Sequence, residues 1–201
     1  MQYIFDIGNV ILSYRPQQYL AKLCRDPQEA DALYRTIFAS EQWALLDAGL
    51  VSYAQATAVF QKRCPRYAAQ IAYVMRHWVT MTTPIEQTWA CIRRLKQQGQ
   101  GLYYLSNFHR ESSLIVQKTH DIFALFDGGV FSCDVHVNKP DARIYRCLLD
   151  AYALVPETCV FIDDTEANVR AAEALGMRGV VFDEEQCLQS ALDGLAAATQ
   201  G

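Results

Sequence analysis

The stretch Tyr3-Ile4-Phe5 runs straight into Asp6, and Val160-Phe161-Ile162 runs straight into Asp163-Asp164. Each is a short apolar run rich in β-branched and aromatic residues, the pattern of a buried strand. Each ends in a carboxylate. Open α/β sheets place ligands at the carboxyl tips of parallel strands, so the two runs constrain both the fold and the location of its site.

Between and beyond these runs, strand and helix patterns alternate. Gly8-Asn9 break the first strand. Gly8, lacking a Cβ, is the residue expected to turn tightly or to approach a ligand. Val10-Ile11-Leu12 is a second short apolar run, closed by Arg15-Pro16. From about Gln17 to Met81 the apolar residues fall at helical spacing, as in Tyr19, Leu20 and Leu23, or Ala32, Leu33, Ile37 and Phe38. Asp47-Ala48-Gly49 reads as a helix end with Gly49 just beyond it. Ser52 to Gln55 reads as a capping box. About four helices and no strand are expected here, ended by Pro84. Ile85 to Gln98 is an amphipathic helix with Ile85, Trp89, Ile92 and Leu95 on one face, stopped by Gly99-Gln100-Gly101. Further strands are expected at 102–105, 130–132, 159–162 and 178–182, separated by helices at about 112–119, 141–152 and 165–175. An Ala/Leu-rich helix ends the chain. This alternation predicts an α/β fold: a Rossmann-like parallel sheet with helices on both faces, interrupted by an inserted helical segment of the four-helix type.

Composition excludes several classes. Apolar residues are 51% and charged residues 20% of the chain, which is the balance of a folded domain rather than a disordered one. A net charge of -4 without a basic stretch gives no electrostatic footprint for nucleic acid. No apolar run approaches the ~18 residues of a spanning helix, and no basic segment precedes the first apolar run as in a signal peptide. The seven cysteines show neither C-x-x-C nor metal-ligand spacing, so they are expected to be free and mostly buried thiols in a reducing cytoplasm. A cytoplasmic monomer or homodimer follows as the expectation.

With the strands parallel, their carboxyl tips share one edge. That edge carries Asp6, Ser106 with Asn107, and Asp163 with Asp164, while Lys139 stands some residues beyond its strand. The four motifs occur in the order Asp6-Ile7-Gly8-Asn9-Val10, Leu105-Ser106-Asn107, Lys139-Pro140 and Phe161-Ile162-Asp163-Asp164. They resemble those of the haloacid dehalogenase superfamily, in its phosphatase branch, and the likeness extends over nearly the whole chain, including Asn168 to Ala172 and Leu175-Gly176-Met177. It implies an α/β core of residues 1–15 and 82–201 and a helical cap of residues 16–81. It also implies Asp6 as the nucleophile that forms an aspartyl-phosphate, and Mg²⁺ as cofactor. Asp6, the Gly8 carbonyl and Asp164 would be the metal ligands, with Asp163 either a further ligand or one sphere out. Lys139 would neutralise the phosphoryl oxygens and Asp6, and Ser106 would donate to the phosphate, with Asn107 beside it as a phosphate-binding residue. Other uses stay open at this point: Ser106 and Asn107 are residues of turns and caps, Lys139 could be a surface lysine before a proline turn, and Asp163 could cap the next helix.

One position departs from the pattern. Most phosphatases of this superfamily carry a second Asp two residues after the nucleophile, as the acid and base for the leaving oxygen. Here that position is Gly8. Positioned acid–base catalysis is worth roughly 10²–10⁴-fold in rate. Three explanations compete: a chain that binds without catalysis, an acid supplied from elsewhere, or a substrate with a good leaving group such as a sugar 1-phosphate. The form Asp-x-Gly-Asn-Val resembles glucose-1-phosphate phosphatase-like proteins and the phosphatase domain of epoxide hydrolases. The leading expectation is a Mg²⁺-dependent phosphatase acting on a small phosphorylated metabolite. The alternatives are a catalytically impaired module that binds a phosphate or a partner, and a haloacid dehalogenase, against which the Asp163-Asp164 pair argues. Candidate readers of the leaving group are Trp43, Asp47 and Tyr14-Arg15, although Trp43 also fits a packed core. His109 and Arg110 fit either the cleft or a solvated helix start. His77 and His120 read as structural or surface residues, and His136 is left open.

Overall fold

The structure, a computed structural model, describes residues 1–197. Residues 198–201, the end of the expected core segment, lie outside the described residues. Five strands form one parallel sheet: β1 (Gln2–Phe5), β2 (Gly101–Ser106), β3 (Gly128–Phe131), β4 (Cys159–Asp163) and β5 (Arg178–Val181), in the order β3-β2-β1-β4-β5. Chain growth runs outward from β1 through β2 and β3, then crosses back to β4 and β5 on the other side. The carboxyl tip of β1 is therefore the switch point where such sheets open a crevice.

Both faces of the sheet are covered, which is why the strands read as continuous apolar runs. Tyr3, Phe5, Val160 and Ile162 point to one face; Ile4, Leu105 and Phe161 point to the other. The second face packs on α9 (Ala142–Ala151) and α10 (Glu166–Glu173), through Ile144, Tyr145, Leu148 and Val169. The first packs on α6 (Glu86–Gln97), through Trp89, Ile92 and Leu95, and on α11 (Leu188–Ala197), through Leu188 and Leu192. The same cluster continues without a break into the helical segment, where Leu20, Leu33, Leu46, Phe60 and Val74 belong to it.

That segment holds five α-helices, one more than expected: α1 (Pro16–Leu23), α2 (Pro27–Thr36), α3 (Glu41–Asp47), α4 (Tyr53–Arg63) and α5 (Ala68–His77). The extra boundary is made at Asp26-Pro27, where Asp26 caps the N–H of Gln28 and proline occupies the first turn. Ser40 caps α3, and Ser52 with Gln55 forms the expected capping box of α4. Gly49 ends α3 at φ 64°. The remaining helices, α7 (Arg110–Thr119) and α8 (Ser132–Val135), follow β2 and β3; the short α8 leaves no signal in the sequence.

Two expectations are corrected. Val10-Ile11-Leu12 belongs to a turn, in which the N–H groups of Ile11 and Leu12 both return to the Ile7 carbonyl, each at 2.9 Å. The left-handed residue of this turn is Asn9, at φ 54°, and not Gly8. All seven cysteines are free, but only Cys91, Cys133 and Cys159 are buried, with Cys187 exposed. Among the described residues no helix is long and apolar enough to cross a membrane.

Glycines differ sharply in what they permit. A Cβ at Gly129 would lie 2.3 Å from the Tyr104 ring, which Phe123, Phe126 and Phe131 hold in place. A Cβ at Gly8 would meet only the Tyr14 Cβ, at 3.7 Å. Gly129→Ala is expected to destabilise the protein by roughly 1–3 kcal/mol, the usual cost of overpacking, and Gly8→Ala by less than about 0.5 kcal/mol; urea unfolding of the two variants checks the contrast.

Candidate active site

The carboxyl edge of the sheet gathers the polar residues read from the sequence. Asp6 follows β1 directly, and its N–H donates to the Ile162 carbonyl at 2.8 Å, so it continues the β1–β4 pairing. Ser106 is the last residue of β2, and Asp163 the last of β4. Lys139, in the loop between α8 and α9, reaches both acids. Its Nζ lies 2.8 Å from Asp6 Oδ1 and 2.6 Å from Asp163 Oδ2, with its side chain 1% exposed. Asp6, Asp163 and Asp164 each offer an oxygen within 4.8 Å of the others.

The charges explain the electrostatics. The Asp6 carboxyl is raised to about 6: burial, and to a smaller degree Asp163, push it up against the pull of Lys139 and the Ser106 hydroxyl. Burial likewise raises Asp164, opposed by the Asn9 amide. Burial alone would lower Lys139, yet Asp6 and then Asp163 outweigh it and hold the ammonium above its ordinary value. Three clustered carboxylates thus face one buried ammonium, an arrangement with room for further positive charge.

Several residues are used differently from one another. Asp163 is saturated: Oδ1 accepts the Thr165 N–H at 2.8 Å and the Asn168 amide at 3.0 Å, while Oδ2 takes Lys139. It secures the start of α10 as well as the lysine. Asn107 clamps Lys139, accepting its N–H at 2.7 Å and donating to its carbonyl at 3.1 Å. Asn9 donates to Asp164 at 3.0 Å and accepts the Tyr14 N–H at 2.9 Å. The Ile7 N–H, first after the expected nucleophile, is taken by Asp6 Oδ1 at 2.7 Å. Sequence reasoning assigned no site role to Asn9 or Asn168, although both stand in the stretches quoted above; Asn168 lies five residues after the acid it bonds, whereas the partner of Asn9 is 155 residues away.

Above this edge lies a cavity of about 350 Å³. Asp6, Ser106, Lys139 and Asp164 form its polar floor, and Tyr14, Phe38, Trp43, Trp78 and Phe108 an aromatic wall. Trp43 both packs and lines, lying edge-on to Trp78 at 5.2 Å. Asp47, from α3, also lines the cavity. Its Oδ1 meets His109 Nδ1 at 3.0 Å, and His109 Nε2 meets Ser112 Oγ at 2.8 Å. His109 is therefore buried rather than a solvated helix start, whereas Arg110 is exposed and paired with Asp134 at 2.5 Å. Arg15 turns outward to pair with Glu184. His136 bonds the Ala48 carbonyl at 3.1 Å, His120 packs on Trp89, and His77 on Tyr73.

Removing the ammonium would leave two buried acids uncompensated. Lys139→Met is expected to cost about 3–5 kcal/mol of stability at pH 8. The difference from wild type should shrink toward pH 4, where the carboxyls of the variant protonate; urea unfolding at both pH values measures it.

A family model described as haloacid dehalogenase-like hydrolase matches residues 3–176. The sesquiterpene phosphatase astK of Aspergillus oryzae is 27% identical over 177 residues, covering 88% of this chain and 87% of that protein. A phosphorylated carbohydrates phosphatase of Thermotoga maritima is 35% identical over 60 residues, covering 30% of this chain and 28% of that protein. Other matched relatives are longer, and the chain spans 30% or less of them. In fold, the chain is similar to a HAD family enzyme of Bacteroides thetaiotaomicron solved with magnesium and inorganic phosphate, at a TM-score of 0.71 and 16% identity, covering 92% of this chain and 95% of that one. The matched span runs from β1 through α10 and contains every acid, hydroxyl and lysine of the edge just described: the chain belongs to the haloacid dehalogenase-like hydrolase family.

Proposed function

We propose that this hydrolase is a Mg²⁺-dependent phosphatase of a small phosphorylated metabolite, acting through a phosphoryl group carried on Asp6. The observation that carries the reading is the buried Lys139 ammonium shared by Asp6 and Asp163 beside Asp164. A dehalogenase needs one nucleophilic carboxylate; a third acid in reach of it suits a cation and a phosphate. The donor set fits Mg²⁺, which takes oxygen ligands and usually one or two carboxylates. Asp6 and Asp164 would hold it with the Gly8 carbonyl, and Asp163, already saturated, would support the ligands from behind. Bound there, Mg²⁺ would offset the repulsion between Asp6 and a phosphate dianion.

The chain's own residues supply the rest. The Asp6 carboxylate attacks phosphorus, and Lys139 and Ser106 balance charge on the equatorial oxygens. Asn107 acts through Lys139 by fixing its main chain. Asn9 aims Asp164. The helical segment 16–81 serves as a cap over the sheet edge, excluding water and meeting the leaving group. Its aromatic wall suits a substrate with an apolar face, either the CH face of a sugar ring or a short isoprenoid chain. The named activities of the Aspergillus oryzae and Thermotoga maritima relatives support these two classes.

Purified protein should release phosphate from members of a panel of sugar and isoprenoid phosphates with Mg²⁺, and not with EDTA. Release from none of them would contradict the reading. Mg²⁺ alone should also raise the melting temperature of the free protein. Asp164→Asn is expected to weaken that metal affinity by at least the roughly 10–100-fold that loss of even an outer partner costs; an unchanged Mg²⁺ titration would remove Asp164 from the metal site.

A further inference from the structure

We propose that Asp47, held by His109, is the general acid and base that position 8 lacks. The inference rests on the phosphatase reading and adds the missing proton donor. Four observations carry it. Asp47 lines the same cavity as Asp6, Ser106 and Lys139, but comes from the helical segment. Its side chain keeps 13% of its exposure while the His109 side chain behind it keeps 1%, so the carboxyl is the member of the pair that meets the cavity. His109 is fixed from its far side by Ser112 and from its ring edge by Trp43, at 5.2 Å. Finally, nothing in the packing demands glycine at position 8, because a Cβ there has room and the φ angle is ordinary.

The groups acting on Asp47 suit a proton carrier. Burial raises its carboxyl above the ordinary value, and the hydrogen bond and charge of His109, with a smaller contribution from the Trp43 indole, oppose that rise. Tyr14 faces it from the loop after β1. The contact with His109 at 3.0 Å holds the Asp47 carboxyl in place on the cavity wall as it gives up or regains its proton.

The steps balance as follows. Asp6 forms a bond to phosphorus as the bond from phosphorus to the substrate oxygen breaks. The electron pair stays on that oxygen, which takes the proton from Asp47 and leaves as an alcohol. Water then attacks phosphorus, giving one proton to the Asp47 carboxylate, as the bond from phosphorus to Asp6 breaks and its electron pair returns to the Asp6 carboxylate. Phosphate leaves, and Asp6 and Asp47 return to their starting states.

The test uses kcat/KM for a series of phosphate monoesters from p-nitrophenyl phosphate to alkyl phosphates, in the full chain with Mg²⁺. For Asp47→Asn, the ratio of alkyl to p-nitrophenyl rates should fall by about 10²-fold or more. Adding Gly8→Asp to that variant should restore much of the alkyl rate. Equal losses on all esters, or no rescue by Gly8→Asp, would overturn the proposal while leaving the phosphatase reading intact. A wild type inactive on every ester would overturn both. Should Asp47→Asn fail to fold, His109→Phe carries the same ratio test, since a positioning residue acts through Asp47. A loss that ignores the leaving group would then mark the pair as structural.

Discussion

The ammonium of Lys139 holds the edge of this molecule together. It sits in an interior where burial alone would discharge it, and it stays charged because Asp6 and Asp163 flank it at 2.8 and 2.6 Å. Those acids come from adjacent strands that touch along their whole length. Lys139 comes from a loop, and that loop is fixed by Asn107 at the tip of a third strand. One cation therefore ties β1, β2 and β4 at the point where the sheet's connections diverge. A buried ion pair adds little net stability compared with an apolar cluster. In the proposed reaction its use is preorganisation: charges already desolvated and aimed would cost no rearrangement when a phosphate arrives.

The helical segment completes this centre in a second medium. The sheet edge is polar, and the wall opposite it is aromatic, with Trp43, Trp78 and Phe38 packed on one another at 4.8 to 6.5 Å. Such a wall strengthens each electrostatic contact beneath it by lowering the local dielectric. The helical segment also carries Asp47, at the end of α3, to His109, which stands between β2 and α7. Floor and wall share one hydrophobic cluster with the face of the sheet, so their spacing is set by core packing.

Much of this was legible in the sequence, for physical reasons that differ by element. The strands were legible because burial on both faces produces uninterrupted apolar runs ending in charge. The helix ends at Gly49 and Gly99 were legible because each needs a positive φ. The number of helices before Pro84 was not, because Asp26-Pro27 can be a turn or a cap until packing decides. Asp6, Ser106 and Asp164 were found as types at or beside strand tips, and Lys139 as a type some residues beyond its strand. What each neighbour does was hidden. Asn107 meets Lys139 32 residues away, and Asp47 meets His109 62 residues away. Local pattern carries no trace of such pairs. The turn after β1 misled in the same way, since the left-handed residue proved to be Asn9, whose side chain bonds Asp164 and so ties the turn to the site.

The central claim is that Asp6 carries the phosphoryl group during turnover. Acid quenching of the protein during steady hydrolysis of a phosphate ester, followed by peptide mass spectrometry, tests it directly. The account predicts one phosphoryl group on the peptide containing Asp6, stable in acid, released by hydroxylamine, and absent from Asp6→Asn, which should be folded and inactive. Sustained phosphate release with no such adduct, or by Asp6→Asn, would contradict it.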